Sequence, residues 1–148
     1  MQNKPDYITI ALRDLRSAVV LHKDGLWNNT VISCEQFVEK ALKQIVFVNQ
    51  ETDEKLFEKD TKLLKSHKVY QLGKRVEQIL GVSYSEEELK RFVKLENYYF
   101  NANYPGDDYE AIGEKYATET LEWTKTFAPK IQGQIQKQLE DLQSNKTS

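Results

Sequence analysis

Two histidines, His22 and His67, are the only side chains here whose ordinary titration falls near neutral pH. His67 is the one set among cations, since Lys62, Lys65, Lys68, Lys74 and Arg75 form the most basic local stretch. On a helix, His67, Lys68, Gln71 and Arg75 fall near one side. An imidazole can move a proton and a guanidinium can grip a phosphate through paired charged hydrogen bonds, so this face is a candidate phosphate-contacting patch. The plainer reading is a solvated helix face, with His67 hydrogen-bonding across the bundle and packing near Tyr98 or Tyr104. Tyr98, Tyr99 and Tyr104 offer stacking surfaces for bases, or core rings with their hydroxyls at the rim.

Other reactive residue types carry less. Asp107 and Asp108 adjoin one another, but no third carboxylate stands at ligand spacing, and Asp107 with Glu110 reads as a capping box. No metal and no cofactor is expected. Cys34 falls on an apolar stripe with no histidine beside it in sequence, so it reads as a small buried hydrophobe. Glu39 and Lys40 look exposed. Glu39 and Lys43 make an i,i+4 pair worth about 0.2–0.5 kcal/mol, and Lys40 is a candidate cation for a groove between subunits.

The elements that must position these residues are helices. Apolar residues recur with the helical period nearly throughout, and only 6 Gly and 3 Pro in 148 residues argue against a turn-rich all-β fold. The expected fold is all-α, an antiparallel up-and-down bundle of about five helices in one bundle domain over 1–131, with a helical extension and frayed tail over 132–148. The first helix spans about Asp6 to Lys23 with Ile8, Leu12, Leu15 and Val19 inward. The second runs from about Asn29 to Asn49 on the stripe Val31, Cys34, Val38, Ala41, Leu42 and Ile45. A third follows Ser66 as its N-cap and ends at Gly81. A fourth opens at Ser85 with Glu88 as capping partner and buries Leu89, Phe92, Val93, Tyr99 and Phe100. A fifth starts at Asp107, and Pro129 is expected to kink or stop it. The connection from Asn49 to Lys65 is long enough, and periodic enough, for a short extra helix. Between the fourth and fifth helices, Tyr104-Pro105-Gly106-Asp107 reads as a tight corner.

Net charge is −2, so no global field draws the chain to nucleic acid or an anionic membrane. A single cysteine, a polar N-terminus and no apolar run of membrane-spanning length point to a cytoplasmic protein with no membrane contact.

Three segments together resemble one family. Glu35-Gln36-Phe37-Val38-Glu39-Lys40-Ala41-Leu42-Lys43 is similar to the Gln-x-x-Glu-Lys-x-Leu-Lys segment of the HEPN domain (higher eukaryotes and prokaryotes nucleotide-binding). Ser66-His67-Lys68-Val69-Tyr70-Gln71-Leu72 is similar to its Thr/Ser-His-Asp-Leu-x-x-Leu, and Tyr98 to Asp107 to its Tyr-x-x-x-Arg-Tyr-Pro-Asp. The resemblance covers roughly Tyr7 to Ile131. It implies an antiparallel bundle, usually a homodimer, with a role in nucleotide or RNA biology and a nucleotidyltransferase-type partner, as in toxin–antitoxin pairs.

The departures shape the functional expectation. Many HEPN ribonucleases carry Arg followed four to six residues later by His near the end of the bundle, and this chain has no histidine after its fourth helix. Arg16 and His22 have such a spacing, but in the first helix. The family's Arg before Tyr-Pro is Asn103 here, which cannot make a charged fork to phosphate. Enzyme activity is therefore not expected from the usual residues. The leading expectation is a non-catalytic or weakly catalytic homodimer binding a nucleotide, RNA or a nucleotidyltransferase-type protein through His67, Lys68, Arg75, Tyr98, Asn103 and Tyr104. One alternative is a metal-independent endoribonuclease toxin using His67 with Lys68 or Arg75. The other is a purely structural interaction module acting through the glutamine-rich tail.

Overall fold

A computed structural model describes residues 6–52, 57–103 and 112–147. Among them run six helices: α1 (Tyr7–Lys23), α2 (Trp27–Thr52), α3 (Phe57–Leu64), α4 (Val69–Leu80), α5 (Glu86–Asn103) and α6 (Glu114–Thr147). The described residues hold no strand, so the fold is the all-helical bundle that the periodicity implies, and α3 is the extra short helix of the long connection.

Local chemistry sets the helix ends. Asp6 caps α1 by accepting from the Thr9 amide at 3.0 Å. Gly81 ends α4 in the left-handed region at φ 67°, and its N–H reaches the Glu77 carbonyl at 2.9 Å. Ser85 and Glu88 form the expected capping box, with reciprocal bonds of 3.0 and 2.8 Å. Ser66 does not cap α4 directly. Its hydroxyl donates to the Leu63 carbonyl at 2.7 Å, closing α3, and Lys68 holds the N-cap position instead. The expected start of the last helix at Asp107 and the Tyr104–Asp107 corner lie outside the described residues.

α2 is the axle of the bundle, packing against α1, α3, α4, α5 and α6. A helix surrounded on every side buries nearly all it carries. Phe37, Val38, Leu42, Ile45 and Val46 are fully buried, and so are Thr30 and Glu35. Against it, α5 and α6 set an aromatic layer. Phe92 meets Tyr84, Phe127 and Trp123 with ring centroids 5.3, 5.6 and 6.3 Å away, edge to face. α4 passes over this layer so closely that a Cβ added at Gly73 would lie 2.7 Å from the Phe92 ring.

Three expectations about packing change. In α1 the buried positions are Ala11 and Ala18, while Leu12 and Val19 are 39% and 40% exposed. The small alanines let α1 lie close on α2, which rotates the larger side chains outward. In α5, Phe92, Leu95 and Tyr98 are buried, whereas Val93 and Phe100 are exposed. Pro129 does not stop α6, which continues through it for 34 residues in all. The proline costs ~3 kcal/mol in a helix interior, but Phe127, Ala128, Ile131 and Ile135 on either side all join the main core. Their burial outweighs the lost backbone bond at roughly 1.5–3 kcal/mol for each large apolar side chain.

Candidate functional site

Glu35, Glu39 and Lys43 occur every fourth residue on α2, a spacing that lines them up on one face. That face points inward. Glu39 is 2% exposed and Lys43 is 6% exposed, so the expectation of an exposed Glu39 fails, and its i,i+4 partner is buried with it. An isolated buried charge would be prohibitive, and here the charges are paired. Lys43 Nζ sits 2.9 Å from one Glu39 oxygen, and His67 Nδ1 sits 3.0 Å from the other.

The two carboxyls of this line divide one task. Burial and the neighbouring Glu39 carboxylate push Glu35 well above the ordinary carboxyl range, so it is protonated at neutral pH. Burial also acts to raise Glu39. Hydrogen bonds from Glu35, Lys43 and His67, with the Lys43 charge, outweigh it and hold Glu39 below its ordinary value. Glu39 is therefore the carboxylate of the pair. A carboxylate only accepts, so His67 Nδ1 carries a proton and donates it. This fixes the ring and turns Nε2 toward the Tyr99 hydroxyl, 3.4 Å away. The ring also stacks on Tyr99, centroids 4.5 Å apart and planes 30° apart. His67 remains 45% exposed. The result is an imidazole oriented by a buried carboxylate, with one edge open to solvent.

On the other side of the same short segment, a groove of about 620 Å³ opens between α3 and α4. Lys62, Lys68, Lys74 and Arg75 line it with Gln71 and Gln78. Two of those cations are already committed. Lys74 pairs with Glu77 at 2.8 Å. Arg75 grips the fully buried Asp60 through Nε at 2.9 Å and a second nitrogen at 3.3 Å. Among the described residues, no ion pair engages Lys62 or Lys68.

The residues singled out from sequence thus part company. His67 and Lys68 stand together where α3 passes into α4. Arg75 lines the groove with its guanidinium tied to Asp60. Tyr98 is 8% exposed and belongs to a core cluster with Val31 and Ala117. Asn103 is the last residue of α5, its side chain outside the described residues, and Tyr104 also lies outside them. Lys40 pairs with Asp14 of α1 at 2.7 Å. His22, paired by spacing with Arg16, instead bonds the Thr118 hydroxyl at 2.8 Å and packs on Trp27, joining α1 to α6. Cys34 is buried as expected, and burial pushes its thiol up to about 11.

Sequence reasoning underrated Glu35 and Glu39. A signal was present, since Phe37 and Val46 lie off the assumed stripe of α2 and show that helix to be apolar around most of its girth. Charges in such a helix must be buried and paired.

The family model described as HEPN domain matches residues 5–133. No curated protein and no solved structure matches the chain.

Proposed function

The chain belongs to the HEPN domain family, and from that premise we propose that it is a homodimeric binding module for a nucleotide or RNA. The family supports a nucleotide- or RNA-related role. The ligand's phosphates would lie along the α3–α4 groove at Lys62 and Lys68, with His67 and Tyr99 outside it, across the short segment that joins the two helices. The observation that carries this reading is the contrast within the groove. Arg75 and Lys74 have carboxylate partners, while Lys62 and Lys68 have none among the described residues. Asn103, in place of the family's arginine, supports binding over catalysis. The exposed Leu12, Val19 and Val20 of α1 offer apolar surface to a second copy. A nucleotidyltransferase-type protein, as in toxin–antitoxin pairs, is the partner the family suggests.

The test is light scattering with a melting scan in a panel of nucleotides and a short RNA. A ligand bound only by the native state raises stability as RT ln(1 + [L]/Kd). The Lys62→Ala/Lys68→Ala double variant should weaken binding roughly tenfold and flatten its salt dependence. A monomer stabilised by no ligand and no partner would remove the proposal.

The orientation of His67 by Glu39 favours a second reading, a metal-independent endoribonuclease. In it, Nε2 takes the proton of a ribose 2′-hydroxyl, whose oxygen bonds to the adjacent phosphorus as the bond to the 5′ oxygen breaks and that oxygen takes up a proton from water. Lys68 would steady the phosphate, the role that Arg75 cannot take while it holds Asp60. RNA cleavage that survives His67→Ala would eliminate this reading.

A further inference from the structure

The two histidines of the chain differ in how their rings are held. His22 Nε2 is engaged by the Thr118 hydroxyl at 2.8 Å, its ring packs on Trp27, and among the described residues no carboxylate pairs with it. His67 has the buried Glu39 carboxylate behind Nδ1 at 3.0 Å, so in the neutral ring the free electron pair lies on Nε2. Lys43, 2.9 Å from the other Glu39 oxygen, keeps that carboxylate ionised. The Tyr99 hydroxyl approaches His67 Nε2 at 3.4 Å, the outer limit of a hydrogen bond, so it yields readily to an incoming atom. The side chain is 45% exposed. The next residue, Lys68, is exposed, and no ion pair engages it among the described residues. An imidazole with a carboxylate behind it and a cation beside it is arranged as a nucleophile toward an anionic electrophile.

We propose that His67 is a covalent phosphoryl-acceptor site, modified at Nε2 by a small activated phosphoryl donor of the acyl phosphate or phosphoramidate class. The Nε2 electron pair attacks phosphorus, and the N–P bond forms as the bond from phosphorus to the leaving group breaks. That group departs with the bonding pair, as a carboxylate or as ammonia. No proton has to leave the ring, which keeps its hydrogen on Nδ1 and becomes positively charged. Glu39 faces that new charge through the existing bond, and a carboxylate already in place there stabilises it as it develops. Lys68 offsets the charge of the phosphoryl oxygens, to which the Tyr99 hydroxyl can donate. The ring does not line the α3–α4 groove, so the donor needs no large pocket. The modified nitrogen is the one that the endoribonuclease reading uses as a base, so modification would switch that activity off. The proposal rests on the geometry of His67 and needs neither nucleotide binding nor RNA cleavage, so it stands or falls separately from both.

The experiment treats the full chain with phosphoramidate and, separately, with acetyl phosphate, and follows the product by mass spectrometry and phosphorus nuclear magnetic resonance. N-acetylhistidine in the same solution gives the reactivity of an unassisted ring, and His22 is an internal control. One phosphoryl group is expected, on His67 Nε2, lost in mild acid and stable in base as an N–P bond is. Its rate should exceed that of N-acetylhistidine at least about tenfold, the worth of one charge-assisted hydrogen bond strengthened in the transition state. His67→Gln should abolish the label, Glu39→Gln should slow it about tenfold, and Lys68→Ala should slow it about threefold. Labelling by one donor alone assigns the site to that donor's class. A rate no higher than that of N-acetylhistidine, a label on His22 or Tyr99 in place of His67, or a rate unchanged by Lys68→Ala would overturn the proposal. Lys68→Ala, an exposed change, decides the matter if Glu39→Gln does not fold.

Discussion

The aromatic layer around Phe92 and the polar line of α2 are equally deep, yet they are held by different forces. Phe92 and Glu35 are both fully buried. Around Phe92 the constraint is shape: four rings meet edge to face or stacked, and Gly73 leaves only the room the ring needs. Around Glu39 the constraint is charge and proton placement, with two carboxyls, an ammonium and an imidazole sharing a few bonds. The aromatic layer should therefore respond to volume and ignore pH, while the polar line should do the reverse. The polar line brings a titratable ring to the surface through His67, which is why the candidate site grows from it.

The largest effects should come from breaking each region at its centre. Phe92→Ala removes the hub ring and should cost about 3–5 kcal/mol in denaturant unfolding, by the same amount across pH. Glu39→Gln leaves the Lys43 ammonium buried without its anion and should cost about 3 kcal/mol near neutral pH. Replacing Glu39 and Lys43 together by leucine should recover much of that loss, because no stranded charge remains. If the double variant is no better than the single one, the polar line is held by something other than pairing.

Smaller changes sharpen the contrast. Gly73→Ala must displace the Phe92 ring or the α4 backbone and should lower stability by about 1–3 kcal/mol, again without pH dependence. Glu35→Gln keeps shape and hydrogen bonding but removes the titration. The wild-type Glu35 carboxyl is raised in the folded state. Between its unfolded value near 4.5 and its raised folded value, the native state holds a proton the unfolded chain lacks, so stability falls as pH rises through that window. The lowered Glu39 acts oppositely: its contribution is present above the unfolded value and is lost as pH falls through the folded one. Melting temperatures from pH 5 to 9 should decline for the wild type and flatten for Glu35→Gln, which gains about 1–2 kcal/mol at the alkaline end. Smallest is Ser85→Ala, which removes one half of a cap and should cost about 1 kcal/mol.

Much of this molecule was legible in its residues. The 3.6-residue period located the helices, Ser85 with Glu88 marked a helix start, and Gly81 marked a stop, because these signals act within one turn of backbone. The three segments that resemble the family led to the family itself. His67 and Lys68 were legible as a pair because they are neighbours on one short segment. What could not be read was which way each helix faces. Leu12 and Val19 follow the same period as Ala11 and Ala18, and only the close contact with α2 decides which pair is covered. Pro129 ought to break a helix on local grounds, and only the packing of Phe127, Ala128 and Ile131 carries α6 past it. Arg75 has the charge of a phosphate ligand, and only the fold brings buried Asp60 to it.

The amino-acid sequence by itself determined an all-helical chain of the HEPN family with one histidine among lysines, because period, caps and motif are properties of neighbouring residues. The tertiary structure alone decided that Glu39 is buried, that it orients His67 and that Lys68 has no ion pair among the described residues. Burial and pairing depend on which helices surround α2, and that information is distributed over the whole chain.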